Sequence, residues 1–393
     1  MQKKKKQPKL IHKHLKRAAN LPGVRHVSHH AKRGHAYTKS WWAAASIWKK
    51  AVACLVMAVL LAVGTMYGIA RWYMEKHNDE PLEIGATFIA SYARHYDLDP
   101  KATFKAMVDD LYIKRFRLVS YWDVHEPKNN KYDFSELDWQ FDMAEEAGAK
   151  VSLAIGLRQP RWPECHMPKW AEEMPKEQWS KELKDYMKIV IERYKDRPAL
   201  ESYQLENEYF MKVFGICPDH ERDRLIDEYN FVKQVDPNHP VVVSRSNNAI
   251  GAPIGKPTPD AFGVSVYKRV WDKTITKRYI EYPFPAWYYG FLAGVGEILT
   301  GKDMIVHELQ AEPWPPVGVK EASLDEQDKS LSPERLRDRI RYGAATGMRK
   351  VDLWGVEWWY WRKVSKNDPS IWDAGRETIK ELVAEQGKSD GQL

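Results

Sequence analysis

Two short stretches put carboxylates where chemistry, rather than packing, would use them. One reads Tyr203-Gln204-Leu205-Glu206-Asn207-Glu208 and the other Ile305-Val306-His307-Glu308-Leu309-Gln310, each an apolar run that gives way to glutamate. Cleaving a glycosidic bond needs one carboxylic acid to protonate the leaving oxygen and one carboxylate to attack or to activate water. Metal-assisted hydrolysis would instead need several His and Asp at such positions, and His307 stands there alone. Each stretch also holds a competitor. Glu206 lies on the same side of a strand as Glu208, and Glu312 follows Glu308 in the segment before Pro313-Trp314.

A frame that brings two distant glutamates together can be read from the alternation of short β-branched runs with amphipathic stretches. Eight strand candidates follow one another: Gly85 to Phe88, Phe116 to Ser120, Lys150 to Ile155, Leu200 to Leu205, Val241 to Ser244, Phe262 to Val266, Met304 to His307 and Val351 to Trp354. Trp179 to Lys195 repeats apolar residues at helical spacing, and Ser332-Pro333-Glu334 reads as a cap, a first turn and an acidic start. Eight such units predict an α/β fold, a (β/α)8 TIM barrel, whose chemistry sits at the C-terminal ends of its strands. An open doubly wound sheet is the alternative, but no glycine-rich phosphate loop follows an early strand. Phe284 to Leu299 is apolar yet short for a membrane span and interrupted by Glu297, so it is assigned to the helical layer.

At these residues the chain resembles the clan A glycoside hydrolases, most closely the beta-galactosidase-like families 42, 35 and 5. The likeness is carried by Phe116-Arg117-Leu118 through Trp122, by Glu126-Pro127 to Tyr132-Asp133-Phe134 and Leu137-Asp138, by Arg158, Pro160 and Trp162, by Gln204 to Tyr209, and by Glu308. It implies a retaining double displacement with Glu208 as acid/base and Glu308 as nucleophile, their carboxyl groups about 5 Å apart. Asn207 would hold the sugar 2-hydroxyl; Arg117 and Tyr267 would assist Glu308. Trp122, Arg158, Glu312 and Trp354 complete the expected substrate-binding set. His307 and His125 are read as packing groups. The relatives usually continue into further β-domains, and the two glutamates leave the sugar unspecified.

Aromatic and cysteine usage fit this frame. Trp122, Trp162, Trp170, Trp271, Trp314, Trp354, Trp358, Trp359 and Trp361 fall at or after strand ends, where flat rings could meet sugar C–H faces. The run Glu357-Trp358-Trp359-Tyr360-Trp361 is hard to read as core, because consecutive residues cannot all face inward. Three cysteines exclude a disulfide-built scaffold. Cys165 and Cys217 fall in neighbouring loops and could pair in an oxidising exterior, closing a loop for about 4 kcal/mol in the chain-entropy model; two free thiols are the alternative.

The chain of 393 residues carries a net charge of +7, but unevenly. Residues 1–50 contain no acid and a run of lysines from Lys3 to Lys6, so the remainder is acidic overall. Ala51 to Ala70 is an uncharged stretch long enough for the roughly 30 Å bilayer core, with Trp41, Trp42 and Trp48 before it and Trp72 and Tyr73 after it. The basic side predicts a single-pass signal anchor in the cell membrane, N-terminus cytoplasmic and catalytic domain outside. The expected partition is a basic disordered tail over 1–48, a transmembrane helix over 49–73, a linker over 74–82, the barrel over 83–385 and a short tail over 386–393. The tail is read as setting topology, with no specific nucleic-acid partner, and six of its histidines are too irregular for a metal site. The reading is a membrane-anchored β-glycosidase acting on an oligo- or polysaccharide without cofactor or metal. The rival is a catalytically inactive, membrane-tethered carbohydrate-binding barrel.

Overall fold

The computed structural model describes residues 41–211, 215–244 and 255–389. The expected basic tail lies outside these apart from 41–48, as do residues 390–393. Two compact units are distinguished, Met1–Thr65 and Met66–Leu393. The long helix α1, Ile47–Lys76, is long and apolar enough to cross a membrane. It extends past the expected span, so that Met74 to Lys76, read from sequence as linker, are its last turn. Tyr73 is buried there, its hydroxyl donating to Asp303 Oδ1 at 2.6 Å, which is the physical reason the helix does not stop sooner.

The elements that follow alternate as expected. They are β1 (Glu83–Thr87), α2 (Ala90–His95), α3 (Pro100–Asp109), β2 (Arg115–Val119), α4 (Trp122–His125), α5 (Ser135–Glu146), β3 (Lys150–Ile155), α6 (Lys176–Tyr194), β4 (Leu200–Leu205), α7 (Arg222–Val235) and β5 (Val241–Ser244). After these come β6 (Ala261–Val266), β7 (Arg269–Trp271), β8 (Tyr279–Glu281), α8 (Ala286–Thr300), β9 (Asp303–Gln310), α9 (Leu324–Ser330), α10 (Pro333–Ala344), β10 (Lys350–Trp354), α11 (Val356–Ser365) and α12 (Ser370–Ser389). Eight parallel strands close in the order β1-β2-β3-β4-β5-β6-β9-β10, with β7 and β8 a separate antiparallel pair. Closure through β1 and β10, Glu83 opposite Lys350 and Ala86 opposite Leu353, excludes the open sheet. The fold is a TIM barrel.

Helix starts follow the expected chemistry. Ser332 caps α10, its hydroxyl accepting from the Arg335 amide, with Pro333 in the first turn. The strands β3, β4 and β5 have the limits read from sequence, whereas β9 runs on to Gln310 and carries Glu308 within it. Gln310 is tied into the strand through its side chain, which accepts from the Lys268 and Arg269 amides and donates to the Arg269 carbonyl.

The tryptophan run corrects the sequence reading. Trp358, Trp359 and Trp361 are all buried, although they lie nearly side by side in α11. The helix is covered on more than one side: Trp358 donates to Gln327 of α9, Trp359 to the Ala311 carbonyl at 2.6 Å, and Trp361 meets Tyr96. A helix enclosed by neighbours needs no polar face. Cys165 and Cys217 are joined as a disulfide across 52 residues, linking the segments that follow β3 and β4.

Candidate active site at the strand ends

Arg117, in the middle of β2, is the centre from which the site is built. Its guanidinium is fully buried and reaches three strands: Nη1 donates to Glu308 Oε1 at 2.9 Å and to the His307 carbonyl at 3.1 Å, Nη2 to Asn207 Oδ1 at 2.7 Å, and Nε to Gln204. A rigid fork of donors is suited to such a junction, where a point-charge lysine would satisfy fewer acceptors. Tyr267, just past β6, donates to the other oxygen, Glu308 Oε2, at 2.8 Å. Glu308 thus has a cation on one oxygen and a hydroxyl on the other.

Glu208 is held from the neighbouring side. Its amide donates to Ser244 Oγ at 2.7 Å, and Ser265 Oγ donates to its Oε1 at 2.5 Å. Ser265 lies opposite Glu308 where β6 pairs with β9, so one serine in register with the second glutamate touches the first. The register shifts between Val264 and Ser265 and leaves His307 in the bulge, a device that re-aims the residue after it. Burial, and then the negative charge of Glu308, push the Glu208 carboxyl well above the usual range; the hydrogen bond from Ser265 works against this. His307 is driven well below its ordinary value by burial and by Arg117 and Arg115, so it is neutral, and its Nε2 lies 3.1 Å from Ser265 Oγ, behind the serine that holds Glu208.

The competitor Glu206 has a different task. Its carboxylate accepts from the Leu157 amide at 2.7 Å and the Arg158 amide at 3.0 Å, and pairs with Arg224 at 3.1 Å. Gly156, at φ +106°, leaves the room: a Cβ there would lie 2.6 Å from Glu206 Oε1. Both Glu206 and Glu208 have positive φ, so the chain after β4 turns sharply and sends the two carboxylates to different surroundings. Glu312, the other competitor, accepts from Tyr92 at 2.6 Å and pairs with Arg161, which stacks on Tyr92 at 3.2 Å and on Trp354 at 4.4 Å. Trp354 also lies 6.0 Å from Arg117, so Glu312 and Trp354 adjoin the site.

Two expected residues are placed otherwise. Trp122 is buried in α4, donating to Glu126 Oε2 at 2.7 Å and packed against Trp170 and Tyr186, so it shapes the loop after β2 and does not reach the glutamates. Arg158 is buried beneath the site, donating to the carbonyls of Glu208 at 3.2 Å, Tyr209 at 3.3 Å and Met211 at 3.1 Å. It braces the backbone that carries Glu208. Sequence reasoning missed Glu164, which pairs with Arg158 at 2.7 Å and hydrogen-bonds the Asn207 side chain. Burial outweighs Arg158 and raises the Glu164 carboxyl to about 7. Its only sequence signal is its place in the loop after β3. Among the described residues, one group with metal-like spacing, His77, Glu80 and Asp303, lies away from these glutamates, at the N-terminal end of β9. Its atoms are already paired, His77 with Glu80 at 2.7 Å and Asp303 with Tyr73.

Comparison with known proteins bears on the fold and on one stretch of the sequence. Residues 106–236 match the model of glycoside hydrolase family 42, beta-galactosidase, a stretch that includes Arg117, Asn207 and Glu208. No curated protein sequence matches. Among solved structures, the polyextremophilic beta-galactosidase of the haloarchaeon Halorubrum lacusprofundi is similar with a TM-score of 0.51 at 13% identity, over 77% of this chain and 58% of that one. A GH5_18 protein of Streptomyces cattleya, solved with GlcNAc, gives 0.53 at 13% identity over 78% and 80% of the two chains. Xylanase 10B of Thermotoga maritima gives 0.50 at 16% identity over 80% and 99%. The chain spans less than three fifths of the length of the beta-galactosidase from Halorubrum, and at these identities the likeness is one of fold. The protein is thus a TIM barrel, beta-galactosidase-like in sequence over residues 106–236.

Proposed function

We propose that the chain is a membrane-anchored retaining β-glycosidase with Glu208 as acid/base and Glu308 as nucleophile. The observation that carries the reading is the asymmetry of the pair: Glu208 is buried, with its carboxyl pushed toward the protonated form, while Glu308 receives hydrogen bonds from a guanidinium and a phenol. Two carboxylates with environments that push their behaviour apart are the physical basis of an acid and nucleophile pair.

In the first step the Glu308 carboxylate attacks the anomeric carbon as Glu208 gives its proton to the departing glycosidic oxygen. In the second, Glu208 takes a proton from water, the water oxygen attacks the anomeric carbon, and Glu308 leaves. Asn207 Oδ1 is occupied by Arg117 and Gln204 and its amide NH2 meets Glu164, so one N–H is left to offer a sugar hydroxyl. Arg161, stacked on Trp354, would shift or share that ring when a sugar binds. The helix α1 would span the cell membrane, N-terminus cytoplasmic and barrel outside, as a basic leading segment favours.

Hydrolysis of a panel of aryl β-glycosides by the full chain in detergent, followed by NMR of the first-formed anomer, tests the reading. The β-anomer is expected first. Glu308→Gly should be inactive and rescued by azide to the α-glycosyl azide, and Glu208→Gly should be rescued to the β-azide. An inactive wild type that still binds glycans, or variants as active as wild type, would overturn it.

A further inference from the structure

The helix α8 departs from what the outside of a barrel requires. From Ala286 to Gly296 it has no charged residue, and Glu297 is its first. Tyr289, Leu292, Ala293 and Gly296 face the barrel and are buried. Trp287, Phe291 and Ile298 recur at spacings that share a second face of the helix. Ile298 and Leu299 are 58% and 61% exposed, although helices on such a surface ordinarily present charges to water.

Between these two faces lies a notch. Gly290 and Gly294, four residues apart, admit the last turns of α1: a Cβ on Gly294 would lie 2.8 Å from Ile69, and Met74 lies beside Gly290. Small residues at this spacing allow close approach of two helices without a large hydrophobic contribution, as in lipid. Tyr67 of α1 meets Trp287 edge to face at 5.6 Å. The contact is closed at its far end by charge: Lys76 pairs with Glu297, and His77 lies between Glu297 at 3.0 Å and Glu80 at 2.7 Å. Exposed Tyr67 extends the apolar face of α8 through this contact, and Trp72 is a second exposed ring on α1.

We propose that this face, formed by Tyr67, Trp72, Trp287, Phe291, Ile298 and Leu299, rests in a lipid bilayer, so that the barrel is seated in the membrane surface and not only tethered to it. The inference rests on the membrane-spanning reading of α1. Lipid is favoured as the occupant because the patch is continuous with a helix of membrane-spanning length and composition, and because it is edged by tyrosine and tryptophan, the residues that settle at the headgroup boundary.

Full-length protein with Cys54→Ser is reconstituted in vesicles of phosphatidylcholine and phosphatidylglycerol. A nitroxide is placed on a single cysteine at Leu60, Ile298, Leu299 or Lys181, and its collisions with oxygen and with an aqueous nickel chelate are compared. The labels at Leu60, Ile298 and Leu299 are expected to meet oxygen several-fold more than the chelate, with Lys181, on the outer side of α6, showing the reverse. Leu60 reading as lipid while both Ile298 and Leu299 read as water would overturn the seating and leave the anchor intact. Exclusion of both reagents at Ile298 and Leu299 would mean a protein partner covers the face, which also overturns it. A Leu60 label in water would remove the anchor and the seating together.

Discussion

Arg115 and Arg117 lie two residues apart on one strand, both fully buried, both bound to acids from other strands, and yet they serve opposite ends of the barrel. Arg115, at the N-terminal end, pairs with Asp352 and with Glu201 at 2.9 Å, and Lys350 joins Glu201. Arg117, midway along the strand, turns to the C-terminal side and shares itself among Glu308, Asn207 and Gln204. At the lower end cations and acids are matched one to one and closed. At the upper end Glu208, beside this cluster, receives a serine hydroxyl and no cation, and its proton supplies the neutrality instead. The difference teaches that within one barrel a buried cluster can be paired throughout at one end, while at the other a carboxyl without a cation is pushed toward its protonated form.

The largest expected effect is on the upper cluster. Glu308→Gln should lower kcat on an aryl β-glycoside by at least about 10⁴-fold, as loss of a nucleophile does, with an unchanged circular dichroism spectrum; a smaller loss would move the nucleophile elsewhere. Next is the lower cluster. Arg115→Met leaves Asp352 buried without its cation and Glu201 with Lys350 alone, and should cost roughly 3–5 kcal/mol in denaturant unfolding, while kcat per folded molecule stays near wild type. If activity fell as far as stability, the two ends would not be separable. Arg117→Lys keeps the charge but loses the fork, and should reduce kcat/KM by about 10²-fold, the scale of one electrostatic donor. The smallest is a shift along the pH axis. Ser265 favours the ionised form of Glu208, so Ser265→Ala raises the pKa of Glu208 further, and the alkaline limb of the kcat/KM profile should move to higher pH. A shift to lower pH would mean that Ser265 stabilises the protonated form.

Much of this division is legible in the residues alone. The limits of β3, β4 and β5 and the capped start of α10 follow from period-2 patterning and cap chemistry, and the proximity of Arg117 and Tyr267 to Glu308 from the family resemblance. What escapes such reading depends on what covers what. Trp358, Trp359 and Trp361 read as exposed because a helix pattern assumes one buried face, and only the packing of α9 and α2 around α11 gives it more. Glu164 and Arg161 lie in a loop whose positive-φ turns have no periodicity to read, and their partners, Arg158 and Glu312, are set by the fold. Arg158 and Trp122 belong to the family-like motifs, but a motif names a position and says nothing about whether the side chain points at substrate or at backbone.

The disulfide between Cys165 and Cys217 has a consequence for where a working molecule can be made. It joins the loop of Arg158, Arg161 and Glu164 to the one that follows Glu208. In a reducing compartment those two loops would be held together chiefly by the three carbonyl contacts of Arg158. Protein produced there and protein produced in an oxidising one should share a barrel and differ at its mouth, so an inactive preparation calls first for a count of its thiols.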